Sequence, residues 1–277
     1  MRARFLDVEG VLTRYLSEGS GAPVLLLHGF GGCADGWIRN VDALGEHFTV
    51  YAPDQLGQGY TAPDDLGSGP PHPHVVEHLV GFVKALGIDR FAVVGQSFGA
   101  LIAALLYFRM PERVTHLVIV GSGSAFNTEE ELARTYATLR TTMMTVFDDP
   151  TLEGCRRHLA RVVHDAASVP PELLLSRLTA YALPSARQAY TAALDGMMDV
   201  ARSRPYRVLD RLEQIAVPAL VIWGRQDPLG VYARGVDAVR RLPRGRLVTF
   251  EACGHFPHLE YPDDFNRVVT EFLRTPA

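Results

Sequence analysis

A serine with a glycine two residues before it and another two residues after it constrains this chain more than any other feature. The motif Gly-Gln-Ser-Phe-Gly is centred on Ser97, between a short apolar run at residues 91–94 and a helical pattern from Ala100 onward. A strand that turns directly into a helix has room only for minimal side chains at the two glycine positions. The serine hydroxyl is then exposed at a helix N-terminus, which favours developing negative charge. The motif predicts a nucleophile, although these five residues alone also fit a nucleotide-binding turn with an incidental serine.

Apolar strands alternate with helical segments around this motif. We expect strands at residues 23–28, 48–52 and 115–121, and a helix at residues 75–86. This alternation is typical of an α/β fold with a doubly wound, mostly parallel sheet. A chain of 277 residues is long enough for such a core with one inserted subdomain.

The alternation lapses between residues 126 and 205, where the pattern is helical throughout, and it resumes with an apolar strand at residues 217–223. A helical insertion between two parallel strands predicts a lid over the carboxyl edge of the sheet, where such folds bind ligands. We therefore divide the chain into an α/β-hydrolase-like core of residues 1–125 and 206–277 and a helical lid of residues 126–205.

Three local patterns predict how parts of the core are connected. Residues 6–15 fit a hairpin that turns at Glu9 and Gly10, and residues 37–44 fit a helix. Residues 62–73 are rich in proline and glycine, so we expect a surface loop there.

Two polar residues follow predicted strands in the second part of the core. Asp227 comes just after the apolar residues 219–223, and His255 comes just after the next strand. A serine nucleophile needs a base to accept its proton and an acid to orient that base. Since parallel strands end at a common edge, these side chains can converge on Ser97, and together they predict a catalytic triad. Taken singly, Asp227 also fits an ordinary turn and His255 a surface loop.

These motifs, together with the His-Gly-Phe-Gly-Gly run at residues 28–32, resemble those of the α/β-hydrolase family over nearly the whole chain. The resemblance implies Ser-His-Asp hydrolase chemistry in the chain order found here. It also implies that the backbone N–H groups of Phe30 and Phe98 form the oxyanion hole. Haloalkane dehalogenases and most epoxide hydrolases of this fold use an aspartate where this chain has Ser97. We therefore expect attack on a carbonyl carbon.

Which acyl bond is cleaved is a closer choice. Residues 171–177 resemble the lid helix of the meta-cleavage-product hydrolases, which cleave a carbon–carbon bond, and Arg177 falls where they carry a substrate-carboxylate arginine. Those enzymes typically have Asn before the serine and Trp after the histidine, where this chain has Gln96 and Phe256. A solvated helix arginine is the alternative for Arg177. We rank hydrolysis of a carboxylic ester first and carbon–carbon hydrolysis second, with these three side chains as candidate substrate-binding residues.

Apolar side chains in the predicted lid are further candidates for substrate contact. They predict a small hydrophobic substrate, and the alternative is that they form the core of the lid. The candidates are Met143, Met144 and Leu174.

Composition argues against several classes of partner. A net charge of −4 disfavours nucleic acid, which needs concentrated Lys and Arg, and no apolar run approaches the roughly 20 residues of a membrane span. The three cysteines are far apart, so we expect a reduced, cytoplasmic protein without a disulfide framework. We expect no cofactor and no metal, because no cluster of acids or cysteines accompanies the histidines near residue 74.

Two questions stay open at this point. The sequence does not decide whether the chain forms a homo-oligomer. A ligand-binding protein built on a hydrolase scaffold is a function of another class, which the intact triad disfavours without excluding it.

Overall fold

An eight-stranded sheet forms the centre of the molecule in a computed structural model that describes residues 1–61 and 69–277. The strands are β1 (Arg2–Val8), β2 (Val11–Glu18), β3 (Pro23–Leu27), β4 (Thr49–Pro53), β5 (Phe91–Gln96), β6 (Val114–Val120), β7 (Ala219–Gly224) and β8 (Gly245–Phe250). Their spatial order is β1-β2-β4-β3-β5-β6-β7-β8. β2 pairs antiparallel with β1 and β4, and every other pairing is parallel. This is the doubly wound, mostly parallel sheet that the sequence predicts.

Helices cover both faces of the sheet and fill the connection between β6 and β7. They are α1 (Val41–Gly45), α2 (His72–Ala85), α3 (Phe98–Arg109), α4 (Gly123–Phe126), α5 (Glu129–Asp148), α6 (Leu152–Ala160), α7 (Pro171–Tyr181), α8 (Ala186–Met198), α9 (Val200–Ser203), α10 (Tyr232–Arg241), α11 (Pro257–Glu260) and α12 (Pro262–Leu273). Short 3-10 helices lie at Ala34–Trp37, Ala166–Ser168, Arg204–Tyr206 and Leu209–Gln214. Apolar side chains of α2, α3 and α10 pack on one face of the sheet, and those of α1 and α12 pack on the other.

β3 shows why its sequence is apolar throughout. Leu25 and Leu27 belong to the hydrophobic cluster on one face of the sheet, and Val24 and Leu26 belong to the cluster on the opposite face. All four are at most 1% exposed. Alternate side chains of a strand point to opposite faces, so a strand covered on both sides needs apolar residues at every position.

The helices between β6 and β7 form one continuous stretch, residues 123–214, which we call the inserted helical segment. It contains α4 to α9 and three of the 3-10 helices. Its first long helix, α5, begins with a capping box in which Thr128 accepts from the backbone N–H of Glu131 and the Glu131 carboxylate accepts from the backbone N–H of Thr128. The helices extend beyond residues 126–205 at both ends, and the division of the chain into core and lid remains a prediction.

Local predictions had mixed outcomes. The hairpin is confirmed, because β1 and β2 pair in a register that brings Val8 opposite Val11 across Glu9 and Gly10. The prediction of one helix at residues 37–44 is wrong, since a 3-10 helix ends at Trp37 and α1 begins only at Val41.

The loop expected at residues 62–73 lies mostly outside the described residues, which exclude 62–68. At its end, α2 already begins at His72, with Pro73 in the first turn, where a missing N–H is tolerated. Within the described part of the chain, no helix combines the length and apolar character needed to cross a membrane.

Candidate active site

Ser97 lies at a sharp turn between β5 and α3. Its backbone has φ 54° and ψ −118°, a strained conformation for a residue other than glycine. A Cβ atom at position 95 would meet the carbonyl oxygen of Gly99, and one at position 99 would meet the carbonyl oxygens of Leu27 and His28 on β3 and its loop. The two glycines are therefore required by close backbone contacts on both sides of the serine.

Asp227 and His255 are in direct contact beside this turn. The Asp227 Oδ2 and His255 Nδ1 atoms are 2.8 Å apart, and both side chains are almost completely buried. The other carboxylate oxygen of Asp227 accepts hydrogen bonds from the backbone N–H groups of Leu229, at 2.8 Å, and Gly230, at 3.1 Å. With its carboxylate held in place, Asp227 favours the imidazole tautomer that carries its proton on Nδ1.

Ser97 and His255 line the same cavity, which holds about 340 Å³ of empty space including its opening. No hydrogen bond joins the Ser97 hydroxyl to the imidazole, although both residues lie in the described part of the chain. Catalytic hydrogen bonds are often long in free enzymes and shorten when substrate binds. The Nε2 atom remains on the side of the ring opposite Asp227, as a base for a serine hydroxyl requires.

The two backbone N–H groups expected to form the oxyanion hole are both free to donate. Phe30 follows β3 and Phe98 is the first residue of α3, and neither N–H donates to another described residue. The two aromatic rings pack edge to face with centroids 5.6 Å apart, so the two segments lie side by side next to Ser97. This arrangement can offer two donors to one developing oxyanion.

Glu260 holds the loop that carries His255, and sequence reasoning missed it. Its carboxylate accepts hydrogen bonds from the backbone N–H groups of Gly254, at 2.9 and 3.1 Å, Phe256, at 3.3 Å, and His164, at 2.7 Å. His164 belongs to the inserted helical segment, so this carboxylate joins that segment to the loop. The only local indication in the sequence is an acidic residue five positions after His255.

Gln96 also contacts this loop. Its side-chain amide donates to the backbone carbonyl of His255 at 3.2 Å, and its side chain is buried. Substrate contact is the role that the sequence predicts for Gln96. The structure shows a hydrogen bond to the loop of His255, and substrate contact remains a prediction.

The cavity beside Ser97 is mostly apolar on the side of the inserted helical segment. α5 contributes three of the lining residues, and their spacing of three and four positions places them on one helix face. The lining residues are Phe30, Ser97, Phe98, Gly123, Ser124, Thr135, Tyr136, Leu139, Met197, Leu229 and His255. The apolar repeat of α5 is a sequence signal that could have identified Tyr136 and Leu139.

The other apolar candidates lie outside this lining. Met143 and Leu174 are at most 1% exposed in the hydrophobic core, and Met144 packs against the same core. In this conformation the three residues fit the alternative, in which they belong to the packed core of the lid.

Arg177 is buried rather than solvated. Its side chain lies on α7 with only 7% of the residue exposed, and its guanidinium carbon is 5.9 Å from the centre of the Phe256 ring. One terminal nitrogen donates to the Tyr181 hydroxyl at 3.3 Å, whereas Nε has no hydrogen-bond partner among the described residues. No acidic side chain in residues 1–61 or 69–277 forms an ion pair with it. A buried arginine keeps its charge, so the position is suited to bind an anionic group.

The neighbouring cysteine thiols and the His28 imidazole are not suited to act as nucleophiles or as acid–base catalysts. Burial raises the pKa of the Cys33 thiol to about 12 and raises that of Cys253 as well, so both thiols stay protonated. Burial lowers the pKa of His28 to about 4, and its Nε2 accepts a hydrogen bond from the backbone N–H of Gln55 at 3.0 Å. Ser97 is therefore the candidate nucleophile at this edge of the sheet.

A family model described as the alpha/beta hydrolase fold matches residues 22–262, which is most of the chain. The chain belongs to the α/β-hydrolase family. Membership accounts for the mostly parallel sheet and for a serine at the turn after β5, and it makes the protein a hydrolase. The resemblance stated from the sequence motifs is confirmed.

Individual relatives within the α/β-hydrolase family indicate which type of bond enzymes similar to this chain hydrolyse. The chain is 33% identical over 268 residues to a 2-hydroxy-6-oxononadienedioate/2-hydroxy-6-oxononatrienedioate hydrolase of Burkholderia vietnamiensis, covering 94% of this chain and 90% of that one. It is 30% identical over 272 residues to a 2-hydroxymuconate semialdehyde hydrolase of Pseudomonas putida, covering 95% and 91%. A solved meta-cleavage product hydrolase of Pseudomonas fluorescens matches with a TM-score of 0.80 and 29% identity, covering 98% and 97%. These relatives favour carbon–carbon hydrolysis over the ester hydrolysis that the sequence alone ranks first.

Proposed function

We propose that this α/β-hydrolase cleaves the carbon–carbon bond next to the ketone of a 2-hydroxy-6-oxo-dienoate. The observation that carries the proposal is Arg177, a buried cation without an acidic partner among the described residues. Burying an uncompensated charge is costly, so a position that retains one is suited to a ligand that brings the opposite charge. The names of the relatives support the same substrate class.

The geometry supports a carboxylate at Arg177 and a carbonyl at Ser97 in one substrate. Phe256 follows His255 directly, and its ring lies 5.3 Å from the His255 ring and 5.9 Å from the Arg177 guanidinium carbon. The apolar lining contributed by α5 and Met197 suits the substituent on the ketone.

The reaction uses the candidate triad in two stages. A proton first moves to the carbon next to the ketone as the dienol becomes a keto acid. Ser97 then attacks the ketone carbon, and its proton passes to His255, whose tautomer Asp227 fixes. The N–H groups of Phe30 and Phe98 stabilise the oxyanion.

Bond cleavage follows from that intermediate. The carbon–carbon bond breaks and its electron pair stays with the fragment that carries the carboxylate. The proton held by His255 passes to this fragment, which leaves as a 2-hydroxydienoate, and His255 is again a free base. Water, deprotonated by His255, then releases the acyl group from Ser97 as a carboxylic acid. One water is consumed, and two carboxylic acids are formed from one.

Replacing Ser97 by alanine tests the nucleophile. We expect kcat to fall by about 10⁴-fold or more, because removing the nucleophile of such a triad leaves only binding and oxyanion stabilisation. Turnover of a phenyl-substituted dienone and of p-nitrophenyl butyrate should be measured for both proteins, with circular dichroism as the control for folding. Activity close to wild type in a folded Ser97→Ala variant would reject the triad.

Replacing Arg177 by methionine tests the carbon–carbon proposal against ester hydrolysis. We expect KM for the dienone to rise about 10- to 100-fold, the range for losing a hydrogen bond to a charged group, while KM for the uncharged ester stays the same. Arg187→Met is the matched control, since Arg187 lies on the same segment and is exposed in an ion pair with Asp148 at 2.8 Å. An unchanged KM for the dienone, or a wild-type enzyme that turns over only the ester, would leave ester hydrolysis as the function. Tight binding without turnover of either compound would indicate a ligand-binding protein.

A further inference from the structure

The loop after β3 holds its peptide groups in a chain of hydrogen bonds that ends at Phe30. The N–H of Phe30 belongs to the same peptide group as the carbonyl of Gly29. That carbonyl accepts from the N–H of Gly32 at 3.0 Å and from Nδ1 of His28 at 2.8 Å. The N–H of Gly32 in turn shares a peptide group with the carbonyl of Gly31. That carbonyl accepts from the hydroxyl of Tyr181 at 2.6 Å. The hydrogen bonds thus run in one direction, from the Tyr181 hydroxyl through two peptide groups to the Phe30 N–H.

Tyr181 comes from the inserted helical segment and lies one helical turn after Arg177 on α7. Arg177 donates to the Tyr181 hydroxyl at 3.3 Å, so the cation stands at the head of the same chain. Hydrogen bonds that share peptide groups polarise one another, and a charged donor at the head strengthens the effect. Burial raises the pKa of Tyr181, so the phenol stays protonated and able to donate.

The loop needs such restraint because Gly31 has a conformation that few residues adopt. Its φ is +70°, and glycine peptides can rotate between alternative orientations at little cost. Gln58 accepts from the Gly31 N–H at 2.7 Å, and this fixes the peptide group before Gly31. Tyr181 fixes the peptide group after Gly31. The N–H of that peptide group, which belongs to Gly32, donates to the carbonyl of Gly29, and so it helps to fix the peptide group that carries the Phe30 N–H.

We propose that Tyr181 is a positioning residue for the oxyanion hole, by which α7 sets the direction and polarity of the Phe30 N–H. The inference rests on the proposed role of Phe30 in oxyanion binding, and it adds a contribution of the inserted helical segment to catalysis. The oxyanion hole is then complete only when α7 is packed on the loop after β3. Binding of the substrate carboxylate and stabilisation of the oxyanion depend on neighbouring residues of the same helix.

Tyr181→Phe removes the hydroxyl and keeps the ring. We expect kcat to fall about tenfold for the dienone and the ester alike, with KM within about twofold of wild type, because an oxyanion forms only after substrate is bound. The inhibition constant of an alkyl boronic acid, whose tetrahedral adduct on the serine mimics the oxyanion, should rise by a similar factor.

Tyr190→Phe is the matched control. Tyr190 is buried, its ring packs against Gly31 and Phe30, and its hydroxyl has no partner among the described residues. Its loss should leave kcat and boronate inhibition unchanged. Equal effects of the two substitutions, or a Tyr181→Phe variant that changes only KM or only the melting temperature, would overturn the inference.

A second variant covers the case in which Tyr181→Phe does not fold. Fluorotyrosine at position 181 keeps the ring and strengthens the donor, so we expect kcat to stay within about twofold of wild type or to rise; a tenfold fall would contradict the inference. The ester assay separates this result from the proposed function. If wild type hydrolyses the ester but not the dienone, the carbon–carbon proposal fails while the Tyr181 comparison still stands. Absence of both turnover and boronate inhibition in wild type would overturn both.

Discussion

Arg177, which is buried, and Arg14, which is half-buried, differ in how their charges are compensated. Arg14 reaches two carboxylates, Asp35 at 2.8 Å and the fully buried Asp54 at 3.3 Å. Asp54 also accepts from the backbone N–H of Ala34, so the ion pairs fix the start of the 3-10 helix Ala34–Trp37. Arg177 has no such partner among the described residues and is the more costly of the two to bury.

The contrast predicts opposite effects on stability. Arg177→Met should leave the free energy of unfolding unchanged or raise it, because an apolar side chain of similar length replaces an uncompensated charge. Arg14→Met should lower it by about 3 kcal/mol or more, because it leaves the buried Asp54 and the half-buried Asp35 without their cation. Urea unfolding of both variants without substrate measures the difference. A large loss of stability in Arg177→Met would mean that the arginine is structural, and it would count against a carboxylate site.

At this scale the sequence could predict Ser97, Asp227 and His255 as a candidate triad, because each follows a strand and has a recognisable neighbourhood. It could not identify the contacts of Glu260, or the positioning role that we propose for Tyr181. Both act on backbone groups, and Tyr181 meets Gly31 across 150 positions of chain. Every residue type has a backbone carbonyl, so the sequence does not reveal which carbonyl accepts a hydrogen bond from a distant side chain.

The turn from β5 to α3 is the element on which the site depends most directly. A Cβ at position 99 would overlap the backbone carbonyls of Leu27 and His28, which cannot move without disturbing β3 and the loop after it. At position 36, in contrast, a Cβ meets nothing within 4 Å. The two glycines therefore differ sharply in what they tolerate.

Gly99→Ala should lower the free energy of unfolding by about 3 kcal/mol, at the upper end for overpacking, or prevent folding. Gly36→Ala makes the same chemical change and should alter stability by no more than about 0.5 kcal/mol. Thermal and urea unfolding of the two variants test this. A Gly99→Ala protein as stable as wild type would show that β3 and α3 can separate, contrary to the close contact of Gly99 with the carbonyls of Leu27 and His28.

Element boundaries near β3 were the least predictable part of the fold. The residues expected to form a helix at 37–44 divide into a 3-10 helix and the short α1, because tertiary contacts hold the junction. The Asn40 side chain donates to the carbonyl of His258 at 3.1 Å and to the Asn266 side chain at 2.8 Å. These partners come from the far end of the chain, and local helical spacing contains no information about them.

For the molecule as a whole, two sequence signals were enough to predict the sheet. Strands alternate with helices, and the strands are apolar at every position because helices cover both faces of the sheet. Burial on this scale also encloses ionisable side chains. Burial lowers the pKa of His28 and of His72 to about 4 each. The His72 ring is stacked on Tyr206 with an interplanar angle of 14°, and its Nδ1 has no partner among the described residues.

These imidazoles make stability depend on pH in a defined direction. Their pKa values in the folded state lie below the ordinary value of about 6.5, so between pH 6.5 and 4 the unfolded chain binds more protons than the folded protein. The stability that comes from keeping them neutral is complete above about pH 6.5 and is lost as the pH falls toward 4. A shift of this size removes about 2 kcal/mol for each histidine by pH 5. Several such residues together approach the whole stability of a typical domain.

His72→Phe isolates one of these contributions. It keeps an aromatic ring against Tyr206 and removes the group that must be protonated, so the loss of unfolding free energy between pH 7.5 and pH 5 should be smaller than in wild type by about 2 kcal/mol. His74→Phe is the control, because His74 lies on the same helix but is exposed, and its acid sensitivity should match wild type. Urea unfolding at the two pH values gives both numbers. Parallel losses in wild type and His72→Phe would show that His72 is protonated without unfolding. The acid sensitivity of the fold would then have to come from other buried groups, of which His28, two residues before Phe30, is the first to test.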